Sequence, residues 1–456
     1  MLSEIFLKRM ENILGAEVQN YVRVLENERE TALRVNAKKC PDTSEIISLL
    51  PFECEEVAYC KSSYYFRCEK PGNIALHHAG AFYVQEPSAM TPVACLEGLL
   101  PDGIKILDAC ASPGGKTSQA VCMSSDKSVV ISNEIVPSRC KTLVGNIERQ
   151  GFKNCIVTNA DTEFFAGNFE CEFALIICDA PCSGEGMFRK SETARNEWSE
   201  DNVRICSERQ REILDNLAKC VDAGGYLLYS TCTFSVEENE ENVSYFLKNH
   251  TDFSLIKPND KVCDVTTPGV SQYCDGFDPS YVRRFYPHVS RGEGQFFALF
   301  KKEGNIAPTT EFGYKDGSRE LNKQEKMAVK DFLDQNLKTE FANIRAYGDN
   351  IVILPCGIKV PEKKVFCCGV KFGEYKNGRI IPHHQFFSAY GKEFKNVVGL
   401  TSDSENCKKY LRGEGFEVDA PDGWAAVTVD GVALGGAKIV GGYLKNHYPK
   451  GLRIMN

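Results

Sequence analysis

The chain has 456 residues, more than one core usually fills, so two or three domains are expected. Its 43 % hydrophobic and 25 % charged residues are those of a globular protein, and no apolar run is long enough to cross a membrane. The net charge of −8 does not mark a nucleic-acid binder, although the acidic surplus lies in the first two thirds and the last third is slightly basic.

The first residues, Met-Leu-Ser-Glu-Ile-Phe-Leu-Lys-Arg, have no long apolar stretch and no cleavage signature. No secretory signal is read, and a cytoplasmic protein is expected. The 21 cysteines are scattered without regular spacing, which argues for reduced thiols rather than a disulfide framework. There is no C-x-x-C pair, and the seven histidines are dispersed apart from His77-His78 and His383-His384, so no metal site is expected.

Residues 1–80 form a first α+β region, with helical apolar spacing over Phe6–Leu14 and a short strand over Thr31–Asn36. Residues 81–302 alternate strands with helical stretches, the pattern of a doubly wound parallel sheet. The expected strands are Ile104–Asp108, Val129–Glu134, Cys155–Asp161, Phe173–Cys178 and Gly225–Tyr229, with Gly294–Phe300 as a late edge strand. Residues 303–320, rich in Gly, Pro, Thr and charge, read as a linker. The remainder, 321–456, mixes a helix over Lys323–Leu337 with short strands such as Asn350–Leu354, and no internal repeat is present.

Leu107-Asp-Ala-Cys-Ala-Ser-Pro-Gly-Gly-Lys-Thr117 joins a strand to a helix, a turn that aims backbone N–H groups at a ligand. A P-loop would need a glycine where Cys110 stands, and a dinucleotide fingerprint is absent. A turn for S-adenosylmethionine needs no phosphate cradle and is the reading preferred. Glu134, about 20 residues past Gly114, ends the second strand, where an acid can bind ribose hydroxyls; Asp161 ends the third and could accept from an adenine amino group.

Two cysteines close the next two strands. Cys182 lies in Asp179-Ala-Pro-Cys-Ser-Gly-Glu-Gly186, and Cys232 in Ser230-Thr-Cys-Thr-Phe-Ser235. A cysteine is usually an ordinary core residue. Two thiols at neighbouring strand ends instead suggest covalent catalysis, because thiolate is a strong nucleophile. Carbon 5 of a pyrimidine is too poor a nucleophile to take a methyl group until a thiolate adds at carbon 6. Asp179, three residues before Cys182, is placed to hold the ring through its amino group and N3.

Asp108-Ala-Cys-Ala-Ser-Pro-Gly-Gly-Lys-Thr117, Asp179-Ala-Pro-Cys-Ser-Gly-Glu-Gly186 and Ser230-Thr-Cys-Thr-Phe234 resemble the signature blocks of the RNA 5-methylcytosine methyltransferases, the Fmu/Sun family. Leu33-Arg-Val-Asn36 and Tyr83-Val-Gln-Glu-Pro-Ser-Ala89 resemble its N-terminal blocks, and the C-terminal Leu444-Lys-Asn-His-Tyr-Pro-Lys450 is similar to the RsmF branch, whose members modify bacterial small-subunit ribosomal RNA. The resemblance implies a Rossmann-like class I methyltransferase domain over 81–302, a small N-terminal α+β RNA-binding domain, and a PUA-like α+β RNA-binding region over 321–456. It implies that Cys110, Ala111, Ser112, Pro113, Gly114, Gly115 and Lys116 line the methionine part of S-adenosylmethionine, that Glu134 binds the ribose and Asp161 the adenine. It places Asp179 between cofactor and base, with Cys232 as nucleophile and Cys182 as the thiol that releases product. Thr233 stands where the family often has serine, and Leu434-Gly-Gly436 lacks an aromatic often found there, which leaves the C-terminal contacts less defined.

The expected partner is RNA, with ribosomal RNA ahead of tRNA, and the default assembly is a monomer. Arg283-Arg-Phe-Tyr-Pro-His288 combines charge with rings and reads as an RNA contact. So do Lys438, Lys445, Lys450 and Arg453 with Tyr443 and Tyr448. Glu237-Glu-Asn-Glu-Glu241 reads as a solvated helix start. A DNA cytosine methyltransferase would use Cys182 as nucleophile, and the Thr-Cys block at Cys232 argues against it. A non-catalytic ribosome-assembly factor would need neither thiol.

Overall fold

The computed structural model describes residues 2–309, 311–355 and 358–454. Met1, Thr310 of the expected linker, and Cys356, Gly357, Met455 and Asn456 of the expected C-terminal region lie outside the described residues.

The first helix, Glu4–Leu14, starts where Ser3 accepts from the Phe6 N–H at 3.2 Å, and it buries Phe6 and Met10, four residues apart on one face. Four strands follow: β1 (Thr31–Val35), β2 (Cys54–Glu56), β3 (Ser63–Phe66) and β4 (Phe82–Gln85), in the antiparallel order β2-β3-β1-β4.

The central sheet contains β5 (Lys105–Asp108), β6 (Val129–Asn133), β7 (Cys155–Thr158), β8 (Phe173–Asp179), β9 (Val221–Thr231), β10 (Phe253–Leu255), β11 (Thr267–Pro268), β12 (Val282–Phe285) and β13 (Gln295–Lys302). Its main order is β11-β12-β13-β9-β8-β5-β6-β7. β9, β8, β5, β6 and β7 run parallel, and β13 returns antiparallel to β9. The parallel strands are apolar along their length because both faces are covered. Leu107, Ile131, Ile156, Ile176 and Leu227 pack on one face with Leu214, Leu217 and Phe246 from helices Glu200–Cys220 and Glu240–Asn249. Their sequence neighbours Ile106, Val130, Val157, Ile177 and Leu228 pack on the other with Leu143 and Ile147 of helix Pro137–Gln150. This two-sided burial is what brings the polar strand ends Asp108, Asn133, Asp179 and Thr231 to one rim.

β13 is not the edge strand that its position in the sequence suggests. It lies between β9 and β12, with β10 also pairing to it, and Gln295 to Phe300 are all buried. The described residues of the segment 303–320 form no helix or strand, yet Phe312 is buried, with its ring 6.2 Å from Phe169 and 6.1 Å from Phe173. It is a strap held on the core rather than a free tether.

After the helix Lys323–Asn336 come β14 (Ile344–Tyr347), β15 (Asn350–Ile353), β16 (Val365–Cys368), β17 (Val370–Lys376) and β18 (Arg379–Pro382). Four make a sheet in the order β14-β15-β17-β18. β16 leaves it and pairs antiparallel with β7, which extends the central sheet with a strand from the C-terminal third. The last sheet orders β19 (Val397–Leu400), β20 (Phe416–Glu417), β21 (Gly423–Val429), β22 (Val432–Val440) and β23 (Tyr443–Asn446) as β19-β21-β22-β23-β20. Leu33 and Phe82 of the first sheet share one apolar cluster with Tyr410, Leu434 and Leu444 of this one, so the two ends of the chain are packed together.

Candidate active site

The turn after β5 is pinned to its neighbours. The Ala109 N–H donates to the Ile177 carbonyl, and the Ala111 N–H to the Asn133 carbonyl, both at 2.8 Å. Asn133 also donates its side-chain amide to the carbonyls of Ala109 (3.0 Å) and Ala160 (2.9 Å), tying three strand ends together. Sequence reasoning missed Asn133; its only signal is an amide closing the apolar run of β6.

Asp108 is fully buried and accepts from the Thr117 hydroxyl at 2.6 Å, while its Oδ1 has no partner. Burial pushes its pKa up to about 7. Gly114 has φ +108°, a left-handed conformation that favours glycine, and a Cβ there would stand 3.1 Å from Leu143 Cδ1 of the helix Pro137–Gln150. This turn offers a helix N-terminus and an orphaned acid oxygen, with no phosphate-type glycine pattern. That donor set fits the ammonium and carboxylate of the methionine part of S-adenosylmethionine.

The other expected cofactor residues lie around it. Cys110, Ala111, Ser112, Pro113, Gly114, Gly115 and Lys116 make the loop; Arg139 donates to the Ser112 carbonyl (2.9 Å), and Asn146 to the Pro113 carbonyl (2.9 Å). Glu134 is buried just past β6, accepts from the Val136 N–H at 2.9 Å and faces Arg139 at 3.5 Å. Asp161 is exposed, and one of its oxygens caps the helix Thr162–Asn168 by accepting from the Phe164 N–H at 2.7 Å.

Asp179 ends β8 at the centre of the rim. Its Oδ2 pairs with the Lys116 ammonium at 2.8 Å, and its Oδ1 accepts from Ser230 (2.7 Å) and Gln295 (3.4 Å). Lys116 is only 7 % exposed, whereas Asp179 is half-buried and keeps one side open to solvent. The structure brings the two thiols together: Cys182 Sγ and Cys232 Sγ are 3.3 Å apart, both half-buried. The hydrogen bond with Cys232, together with burial, holds the Cys182 thiol well above its ordinary pKa.

The loops carrying the thiols are laced to each other. The Gly186 N–H donates to the Cys232 carbonyl (2.8 Å), and the Ser183 and Thr233 hydroxyls are 2.8 Å apart. Glu238, fully buried, accepts from the Ser183 N–H (3.0 Å) and from Gln210 (2.8 Å), and burial raises its pKa to about 7. Glu185 accepts from the Phe234 N–H and from Trp198, each at 2.9 Å.

Two sequence expectations are overturned. Arg283, Arg284, Phe285 and Tyr286 are buried and cannot meet RNA. Arg284 forms an ion pair with the fully buried Glu240 and donates to the Phe234 carbonyl at 2.8 Å. The acidic run 237–241 is likewise not a solvated helix start, because Glu238, Asn239 and Glu240 are wholly buried and used as acceptors and donors. In β23, Lys445 and Tyr443 are exposed as expected, and so is Lys450 in the turn that follows it. Tyr448 is buried, with its hydroxyl 2.9 Å from His78 Nδ1, and Arg453 donates to the Tyr448 carbonyl, so this pair is structural.

Three family models match in chain order: the N-terminal domain of 16S rRNA methyltransferase RsmF over residues 2–87, 16S rRNA methyltransferase RsmB/F over 99–301, and the methyltransferase RsmF PUA domain over 397–454. A ribosomal RNA small subunit methyltransferase F of Vibrio vulnificus (strain YJ016) is 26 % identical over 99 % of this chain and 97 % of its own length. One of Klebsiella pneumoniae (strain 342) is 29 % identical over 98 % and 96 %. A methyltransferase homologue from Pyrococcus horikoshii, solved as a crystal structure, superposes with TM-score 0.57 at 25 % identity, covering 66 % of this chain and 95 % of its own. Matched in order by the N-terminal, methyltransferase and PUA models and along nearly its whole length by these relatives, the chain belongs to the RsmF-type family of 16S rRNA methyltransferases.

Proposed function

We propose that this protein methylates carbon 5 of cytidine in small-subunit ribosomal RNA, with Cys232 as the nucleophile and Cys182 as the thiol that releases the product. The observation that carries this reading is the 3.3 Å contact of the two sulfurs beside Asp179. When bound in the turn that follows β5, S-adenosylmethionine supplies an electrophilic methyl group. Cys110 to Lys116 would hold its methionine part, Glu134 its ribose and Asp161 its adenine.

Cys232 attacks carbon 6 of the cytosine and forms a sulfur–carbon bond, which makes carbon 5 nucleophilic. Asp179, paired with Lys116 and oriented by Ser230 and Gln295, holds the ring by accepting from its amino group. Once carbon 5 has taken the methyl group, its proton passes to solvent water, the C–H electron pair restores the carbon 5–carbon 6 double bond, and the sulfur–carbon 6 bond breaks with its pair leaving on Cys232 as thiolate. Cys182 keeps its proton near neutral pH and is positioned to donate a hydrogen bond to a sulfur anion at Cys232. The target cytidine must be unstacked to reach this rim.

The test uses wild type, Cys232→Ala and Cys182→Ala with small-subunit ribosomal RNA and labelled S-adenosylmethionine. Cys232→Ala is expected to lose methyl transfer and denaturant-resistant RNA adducts; Cys182→Ala is expected to accumulate adduct. Methylation by Cys232→Ala with no adduct in Cys182→Ala would assign the nucleophile to Cys182 and reopen the DNA-type reading.

A further inference from the structure

A second cationic cleft lies far from the thiols, where three parts of the chain meet. It has a volume of about 250 Å³ and is lined by Lys38 and Lys39 from the N-terminal domain, Lys153 from the central domain, and Tyr390 and Lys392 from the C-terminal third. Lys39 holds the junction together. Its ammonium donates to the Ala79 carbonyl (2.7 Å), the Arg149 carbonyl (3.3 Å) and the Ser388 hydroxyl (3.0 Å), one acceptor from each part. Gly151, at φ +67°, ends the helix Pro137–Gln150, and a Cβ there would fall 2.8 Å from the Ser388 carbonyl, so the parts meet at backbone distance.

The cations of this cleft are incompletely neutralised. Lys38 is paired with Asp126 at 2.6 Å. Lys39 is spent in the junction, where burial lowers its pKa to about 7; among the described residues, Lys153 and Lys392 have no carboxylate within ion-pairing distance, and Glu393 is the one other acid on the wall. Lys153 and Lys392 are exposed at the mouth, and Lys153 lies 4.4 Å over the Tyr390 ring. Exposed ammonium groups without counter-charges are the chemistry that grips a nucleic-acid backbone.

The location matters as much as the charge. Asp126 and Lys153 precede β6 and β7, whereas Glu134 and Asp161 follow those strands. The cleft is therefore at the opposite rim of the sheet from the thiols, roughly 17 Å or more away given the rise of a five-residue strand.

We infer that this three-way cleft binds a second phosphodiester segment of the RNA that carries the target cytidine, so that the enzyme engages its RNA on two rims of the sheet at once. This inference rests on the RNA-methylating reading above. It also gives the N-terminal and C-terminal parts a joint task, since neither alone forms the cleft.

The full chain carrying Lys153→Glu and Lys392→Glu tests it, with the charge-matched control Lys248→Glu/Lys261→Glu on exposed residues elsewhere. Binding to transcribed 16S rRNA is measured across a salt series, together with methyl transfer and melting temperature. The cleft variant is expected to lose roughly tenfold in affinity and about two from the log–log salt slope, with kcat at saturating RNA unchanged. Unchanged affinity and slope in a folded variant, or an equal loss in the control, would overturn the inference. Inorganic phosphate that shields Lys153 from acylation as well as RNA does would assign the cleft to a small anion and overturn it too. If wild type binds this RNA but transfers no methyl group, the proposed function fails, and the cleft is still judged by the salt series.

Discussion

Cys182 and Cys232 leave adjacent parallel strands, β8 and β9, and their sulfurs meet at 3.3 Å although 50 residues separate them. A disulfide needs its sulfurs about 2 Å apart, so a small side-chain movement would close one here. Mild treatment with a disulfide-forming oxidant is expected to abolish methyl transfer, and a thiol reductant to restore it. Mass spectrometry should find the Cys182–Cys232 cross-linked peptide in the inactive form. Inactivation that proceeds equally in Cys182→Ala, and reverses equally, would sink this expectation.

Asp179 links the two halves of the site, because it joins the turn after β5 through Lys116 and the thiol loop through Ser230. Asp179→Asn keeps the shape but leaves the Lys116 ammonium without its counter-charge. The expected cost is about 1–3 kcal/mol in stability, since Asp179 is partly exposed. In the proposed reaction the loss in kcat/KM is expected to be about a hundredfold or more, because the amino group of the ring would lose its charged acceptor. Chemical denaturation and single-turnover methylation separate the two effects; wild-type single-turnover rate in this variant would remove Asp179 from the reaction.

Glu238 makes stability depend on pH. Its folded pKa, pushed up by burial to about 7, lies above the ordinary carboxylate value of 4.5. Between those values the folded protein keeps a proton that the unfolded chain releases. The stability tied to that proton is fully present below about pH 4.5 and is lost as pH rises through 7. Asp108 and Glu148, also raised to about 7 by burial, act in the same direction. Glu238→Gln cannot ionise, so the fall in stability between pH 5 and pH 8 should shrink, by at most about 3 kcal/mol. A melting-temperature profile identical to wild type would show that Glu238 does not titrate in this range.

How much of this could be read from the sequence follows from whether the deciding contacts are local. The parallel strands are legible because each is a continuous apolar run ending in a polar residue, as in Phe173–Asp179. The turn from Asp108 to Thr117 is legible because its glycines and its helix start are consecutive in the chain. The burial of 283–286 is not legible, since an arginine pair beside aromatics looks the same in solvent and in a core until its partner is known. That partner, Glu240, is 44 residues away. The lysine cleft escaped for the same reason: its cations come from three distant segments, each an unremarkable surface lysine in its own context. β16 was hidden because Val365–Cys368 carries nothing in its pattern to say that it completes a sheet begun 260 residues earlier at Lys105.

The Arg284–Glu240 pair gives the sharpest contrast between the two readings of the 283–288 segment. Arg284 is 1 % exposed and Glu240 is fully buried; the guanidinium also donates to the Phe234 carbonyl, two residues past Cys232. Removing one member leaves a buried charge unmatched, so Arg284→Met should destabilise the protein by about 3–5 kcal/mol. Replacing both, as Arg284→Met/Glu240→Met, removes the orphaned charge and should recover part of that loss. RNA affinity of the folded fraction should stay within about twofold of wild type in both variants, and its salt slope should be unchanged, since no phosphate contact has been lost. An RNA-contacting arginine would give the reverse: near-normal melting, weaker binding and a shallower salt slope. Thermal denaturation of the single and double variants, paired with a salt titration of RNA binding, decides between a core brace behind Cys232 and a nucleic-acid contact.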